Sequence, residues 1–330
     1  NNNNNNNNYN YNINNNANPT AWEDIEAKTY TERLTPLRFE TADLLHSGYY
    51  SFSPSMQSNT MGTVSNPRKR MLRIANELAT LSTSLPVEYG SSMFLRADDT
   101  RMDCMKLLII GPLDTPYANG CFEFDIALPV SYPLAPPKVH LVTTGRGTVR
   151  FNPNLYDCGK VCLSLLGTWT GPGWDPDVST LLQVFVNIQS LILVPDPYFN
   201  EPGYERSRGT AKGTKASDVY NRDIRKKCLR WAMLDQLKNP SPIFADVIRY
   251  HFLNKRSSIM HQLMDEWTDI PLAAKQEMID LLTKLRVENT AASSSSSSSS
   301  SGSNGNLNAS SSSKSTGDYS TGSLDIITIV

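Results

Sequence analysis

Asn152-Pro153-Asn154-Leu155-Tyr156-Asp157-Cys158-Gly159-Lys160-Val161-Cys162-Leu163 is the densest run of chemistry-bearing residues in this chain of 330. Asn154, Asp157 and Gly159 are loop formers, and they lead into a cysteine flanked by two aliphatic residues, Val161 and Leu163. An arbitrary buried cysteine is usually a small core hydrophobe. Here, however, a side-chain amide, Asn154, stands eight residues upstream, where it is a candidate donor to a developing oxyanion. No histidine adjoins the thiol, which fits a slow, selective nucleophile better than a strongly activated protease cysteine.

Other cysteine chemistries fare worse. Cys158 and Cys162 have no second cysteine pair, and His46, His140, His251 and His261 show no ligand spacing, so neither zinc nor any other metal is expected. A redox dithiol normally has two intervening residues, whereas these two cysteines are separated by three. A cysteine hydrolase would recruit His140 or His251 as base, yet nothing in the sequence marks either one.

The run lies in an irregular, Gly- and Pro-rich segment spanning about 145–177, longer than ordinary domains carry without a functional reason. Upstream, Asn66-Pro67 opens a helix whose apolar residues recur at helical spacing until Pro86. Four strands are predicted next: Ser92–Ala97, Lys106–Gly111, Cys121–Leu128 and Lys138–Thr143. Their short, turn-rich links read as an antiparallel meander rather than βαβ units. Downstream, Ser179 or Thr180 caps the run Leu181–Val194, too apolar for a surface helix and so the predicted buried helix on the sheet. Further helical patterns cover about 216–237, 242–267 and 271–287. The fold class is therefore α+β: an N-terminal helix, a four-stranded antiparallel meander, an active-site loop, a central buried helix and C-terminal helices.

Residues 1–65 read as a disordered Asn-rich segment and linker, 66–235 as the core domain, 236–288 as a helical C-terminal extension and 289–330 as a disordered Ser-rich tail. Lys and Arg total 31 against 32 Asp and Glu, so no global field favours nucleic acid or an anionic membrane. Five cysteines, an odd number, point to a reduced cytoplasmic or nuclear setting.

The quoted run resembles the active-site stretch of the ubiquitin-conjugating (UBC) family, in which a His-Pro-Asn triplet precedes Gly, an aliphatic residue, Cys and Leu at this spacing. Asn152-Pro153-Asn154, Gly159, Val161, Cys162 and Leu163 occupy those positions. Gly111-Pro112, Thr115-Pro116-Tyr117, Gly120, Tyr132-Pro133 and Pro136-Pro137 match the family's upstream signatures, and Trp169 and Trp174-Asp175-Pro176 match downstream. Within the family, Glu201-Pro202-Gly203-Tyr204 and Trp231-Ala232-Met233-Leu234 look like the large hybrid class found in a giant inhibitor-of-apoptosis protein.

The resemblance implies that Cys162 accepts ubiquitin from an activating enzyme as a thioester and passes it to a lysine amine, with built-in ligase activity as a further expectation. It implies that Asn154 polarises the carbonyl or orders the loop, and that Glu201 orients the incoming lysine. Tyr117 matches a core position, and Leu134 and the Trp169–Trp174 loop fall where the family meets ligases. No bound cofactor is implied, ATP being consumed upstream by the activating enzyme. Asn152 stands where the family has histidine and Ser164 where an acidic residue is common. The competing function is a catalytically inactive ubiquitin-binding scaffold of the same fold, against which the thiol at 162 argues.

Overall fold

The computed structural model describes residues 19–48, 50–52, 66–288 and 326–329. Its main sheet has five strands in chain order, one more than the meander anticipated. Helix α1, Pro19–Leu34, leads into β1, Phe39–Ala42, which pairs in parallel with β2, Met93–Asp98. Helix α2, Pro67–Ser84, lies between them in sequence. Strands β3, Cys104–Ile110, β4, Cys121–Ala127, and β5, Lys138–Leu141, complete the sheet in antiparallel order.

The strands form where β-branched and aromatic residues concentrate, and α2 starts where the sequence marks it: the Asn66 side chain accepts from the Lys69 N–H, with Pro67 in the first turn. The central helix α3, Leu181–Asn187, opens on a reciprocal cap between Thr180 and Gln183. It runs on as a wide turn, Ile188–Ile192. The Glu77 carboxylate, on α2, accepts from the Leu181 N–H at 3.1 Å and from the Tyr132 hydroxyl at 2.9 Å. An anion is thereby placed at the N-terminus of α3, where the helix dipole favours it.

Adjacent residue rows across the sheet show its two faces. Leu95, Leu107, Phe124 and Leu141 are cross-strand neighbours, each fully buried in a core that also holds Leu181, Val184, Phe185 and Ile188. The next row, Arg96, Lys106, Asp125 and His140, points the other way, as the period of two requires. That face is covered too. Lys106 lies between Glu123, at 2.7 Å, and Asp125, all three buried. The Ser51 N–H donates to Asp125 and the Tyr50 hydroxyl to the Ile126 carbonyl, both at 2.6 Å. Arg96 pairs with Glu40 at 3.0 Å and lies over the Phe244 ring.

These contacts correct the boundaries drawn from sequence. Part of the segment read as linker, residues 19–48 and 50–52, is a helix, a strand and a roof over the sheet, and it contributes Tyr30, Leu34, Leu37 and Leu44 to the buried set. Residues 1–18 and 53–65 lie outside the described residues. The C-terminal helices also do not stand apart. Helix α4, Ala211–Lys227, continues through Cys228–Leu234 to Asp235–Lys238. Helices α5, Ala245–Asn254, α6, Arg256–His261, and α7, Leu272–Lys284, follow. Phe244, Val247, Ile248, Phe252, Met278 and Leu282 join the same core as the sheet. Finally, α7 stops at Lys284, and β6, Leu285–Glu288, pairs with β7, Ile326–Ile329, which falls in the tail read as disordered. Composition alone cannot reveal a strand whose partner lies some forty residues away in sequence.

Candidate active site

The irregular segment is held to the sheet edge by backbone pairing. The Leu141 N–H of β5 donates to the Gly159 carbonyl at 2.8 Å, and His140 bridges to Lys160. Gly159 has φ +82°, and a Cβ there would lie 2.2 Å from the His140 ring, so both backbone conformation and space call for glycine. The chain then doubles back: Leu155 bridges to Val161, and the Tyr156 N–H donates to the Lys160 carbonyl at 3.0 Å.

That reversal sets Asn154 opposite Cys162. The Cys162 N–H donates to the Asn154 carbonyl at 2.9 Å, and the Asn154 side-chain Nδ2 donates back to the Cys162 carbonyl at 2.9 Å. Both backbone polar groups of the cysteine are thus taken by one residue. Of the two roles considered for Asn154, ordering the loop is the one visible in this geometry. The Cys162 residue is 2% exposed, and burial pushes its thiol up, with the Lys160 and Arg150 cations acting in the opposite direction. Thr168, which drew no attention in the sequence, secures the far side: its Oγ1 accepts from the Leu163 N–H at 3.0 Å and donates to the Val161 carbonyl at 2.8 Å.

Asn152 is fully buried and ties this loop to two other elements. Its Nδ2 donates to the Tyr117 hydroxyl at 3.0 Å and to the Ile192 carbonyl at 2.7 Å, while its Oδ1 accepts from the Asn154 N–H at 2.8 Å. Tyr117, fully buried, donates its hydroxyl to the Phe151 carbonyl at 3.0 Å. Both side chains are structural supports of the loop.

Glu201 follows the central helix on a short turn and forms an ion pair with Arg150 at 3.6 Å. Arg150 in turn donates to the Pro153 carbonyl at 2.7 Å, next to Asn154. The fold therefore brings Cys162 and Asn154 into direct contact and links Glu201 to the same loop through Arg150, a residue that sequence reading missed. Its only sequence signal was a cation two residues before the triplet. Leu134 is 70% exposed, as a partner-facing residue would be. Trp174 instead donates its indole N–H to the Pro133 carbonyl at 2.7 Å and packs on Tyr132. All five cysteines are free, and Cys158 is exposed.

Residues 73–226 match the family model described as ubiquitin-conjugating enzyme. The dual E2 ubiquitin-conjugating enzyme/E3 ubiquitin-protein ligase BIRC6 of Homo sapiens is 58% identical over 205 residues, which are 61% of this chain and 4% of that protein. Probable ubiquitin-conjugating enzyme protein 17 of Caenorhabditis elegans is 51% identical over 205 residues, 61% of this chain and 28% of that protein. Probable ubiquitin-conjugating enzyme E2 25 of Arabidopsis thaliana is 46% identical over 185 residues, 55% of this chain and 29% of that protein. The chain thus spans well under two thirds of the length of these relatives. With the Cys162 loop, the meander and the central helix in one arrangement, residues 73–226 are similar in sequence to the ubiquitin-conjugating enzyme family.

Proposed function

We propose that this chain carries ubiquitin as a thioester on Cys162 and transfers it to a lysine amine. The observation that carries the reading is the paired contact between Asn154 and both backbone groups of Cys162, which fixes the thiol on a preorganised loop. In the first step the Cys162 sulfur, as thiolate, attacks the carbonyl of ubiquitin held as a thioester on the activating enzyme. The activating enzyme's sulfur leaves, and it regains a proton from solvent. In the second step a neutral lysine amine attacks the new thioester, the Cys162 sulfur leaves, and the amine's proton passes to Glu201 or to water. One Asn154 N–H is engaged on the Cys162 carbonyl, and its second N–H is the donor for the oxyanion formed in either step. Glu201 orients the amine.

The partners are ubiquitin, an activating enzyme that consumes the ATP, a ligase reading the exposed Leu134 region, and protein substrates. The likeness to a dual conjugating enzyme and ligase supports built-in ligase activity. A role in regulating apoptosis rests on the sequence resemblance to the hybrid class, and a cytoplasmic or nuclear setting on the odd number of cysteines. The chain needs no bound cofactor for these steps.

Incubation with activating enzyme, ATP and ubiquitin is expected to give an adduct that thiol reductant removes. Cys162→Ala abolishes it, and Cys162→Ser gives an oxyester that resists reductant. A wild-type chain that stays unloaded, or a Cys162→Ala chain that still loads, would falsify the reading.

A further inference from the structure

Glu201 and Arg150 are each about 40% exposed, so their ion pair contributes little to stability. Its position is what distinguishes it. Arg150 is gripped on several sides: its Nη2 donates to the Pro153 carbonyl at 2.7 Å, its Nε to the Asn152 carbonyl at 3.3 Å, and its guanidinium stacks on the Tyr156 ring at 4.3 Å. Every one of these partners belongs to the loop that ends in Cys162. Behind it, Lys227 of α4 donates to the Arg150 carbonyl at 3.3 Å, which ties the same residue to a third element. Among the described residues, Arg150 is the sole ion-pair partner of Glu201. A planar fork bonded to two carbonyls and stacked on a ring has its direction set, as a lysine ammonium would not.

We propose that Arg150 is a positioning residue that aims the Glu201 carboxylate at the thioester on Cys162 and so determines how fast a lysine acceptor is served. The proposal rests on the conjugating reading given above and deepens it. Two electrostatic observations agree with the placement: Arg150 opposes the burial that pushes the Cys162 thiol up, and it opposes Glu201 at the Tyr220 phenol, which burial pushes up to about 12. The arginine therefore lies within electrostatic reach of both the nucleophile and the acidic group. This also supplies a cationic influence on the thiol in a loop whose usual acidic position is Ser164.

The test compares wild type, Arg150→Ala, Arg150→Lys, Glu201→Gln and the double variant Arg150→Ala/Glu201→Gln, each preloaded with ubiquitin. Discharge to free lysine and to hydroxylamine is followed, alongside the pH profile of Cys162 alkylation. Discharge of Arg150→Ala to lysine should fall about five- to tenfold, with hydroxylamine, a small reactive nucleophile needing no orientation, barely affected. If Arg150 acts through Glu201, the double variant is no slower than Glu201→Gln alone. Arg150→Lys should restore the alkylation profile, a matter of charge, without fully restoring lysine discharge, a matter of direction. Lysine discharge at the wild-type rate in Arg150→Ala, or multiplicative losses in the double variant, would overturn the proposal. Failure of wild type to load at all would instead remove the conjugating reading, so the two failures are distinguishable.

Discussion

The surroundings of Cys162, the proposed nucleophile, work against its ionisation. Burial raises its thiol above the ordinary value near 8.5, so the rate of alkylation at Cys162 is expected to keep climbing through mildly alkaline pH. Cys158, which is exposed, should be reached by the reagent sooner than buried Cys162 under the same conditions; mass spectrometry of the two peptides separates them. Asn152 makes the case for a supporting residue. Replacing it with Ala leaves the Tyr117 hydroxyl short of a donor and the Ile192 carbonyl unpaired in the interior, at a cost of about 1–3 kcal/mol. Chemical denaturation should show that loss, and loading should weaken with it because the same side chain holds the Asn154 N–H. Gly159→Ala meets both a positive φ and the His140 ring, so it should displace the loop and cut thioester formation more than it lowers melting temperature.

At the scale of elements, the loop carrying Cys162 depends on two anchors, the edge of β5 and the wide turn that follows α3. The cap on α3 can be tested by itself. Thr180→Ala removes the acceptor for the Gln183 N–H, at about 1 kcal/mol, a loss visible as a lowered denaturation midpoint with loading intact. The contrast with Gly159→Ala is informative: one change weakens an element far from the thiol, and the other moves the thiol itself. Most of the elements were legible because their signals are local. Short β-branched and aromatic runs, helical apolar spacing, Asn66-Pro67 and the Thr180 cap each act over a short stretch of chain. Helix α1 was not legible, because its faces carry little apolar contrast; Tyr30 and Leu34 are buried only because other elements come to meet them.

For the whole molecule, the sheet's second face carries the consequence. Arg96, Lys106, Glu123 and Asp125 are buried there beneath a roof that includes Glu40, Tyr50, Ser51, Phe244 and Asp246. A fragment cut to residues 66–235 would strip that roof and leave charges paired for a dry environment facing solvent beside uncovered apolar surface. It should melt well below the full chain in calorimetry or aggregate on concentration. Acid provides a second test. Fully buried His251 accepts from the Tyr30 hydroxyl at Nδ1 and donates from Nε2 to the Asn119 carbonyl, and burial drops it to about 3 from 6.5. Its folded value lies below its unfolded one, so as pH falls from about 6.5 toward 3 the unfolded chain takes up a proton that the native state refuses. Stability should therefore decline across that window by up to ~1.4 kcal/mol per pH unit from this residue. His251→Gln should flatten the dependence. Lys255, lowered to about 7 by burial, acts with the same sign between 10.5 and 7.

By itself the sequence determined the meander, the central helix and the loop on which Asn154 meets Cys162. Each is encoded in short spacings, and the Asn154–Cys162 contact spans only eight residues of one loop. Tertiary structure alone decided that Asn152 is a buried tie to Tyr117 and Ile192, that Arg150 faces Glu201 across 51 residues of chain, and that both flanks roof the sheet. Those pairings join residues with no local pattern in common. They form only when the fold brings distant segments together, so nothing in either partner's own stretch of sequence records the other.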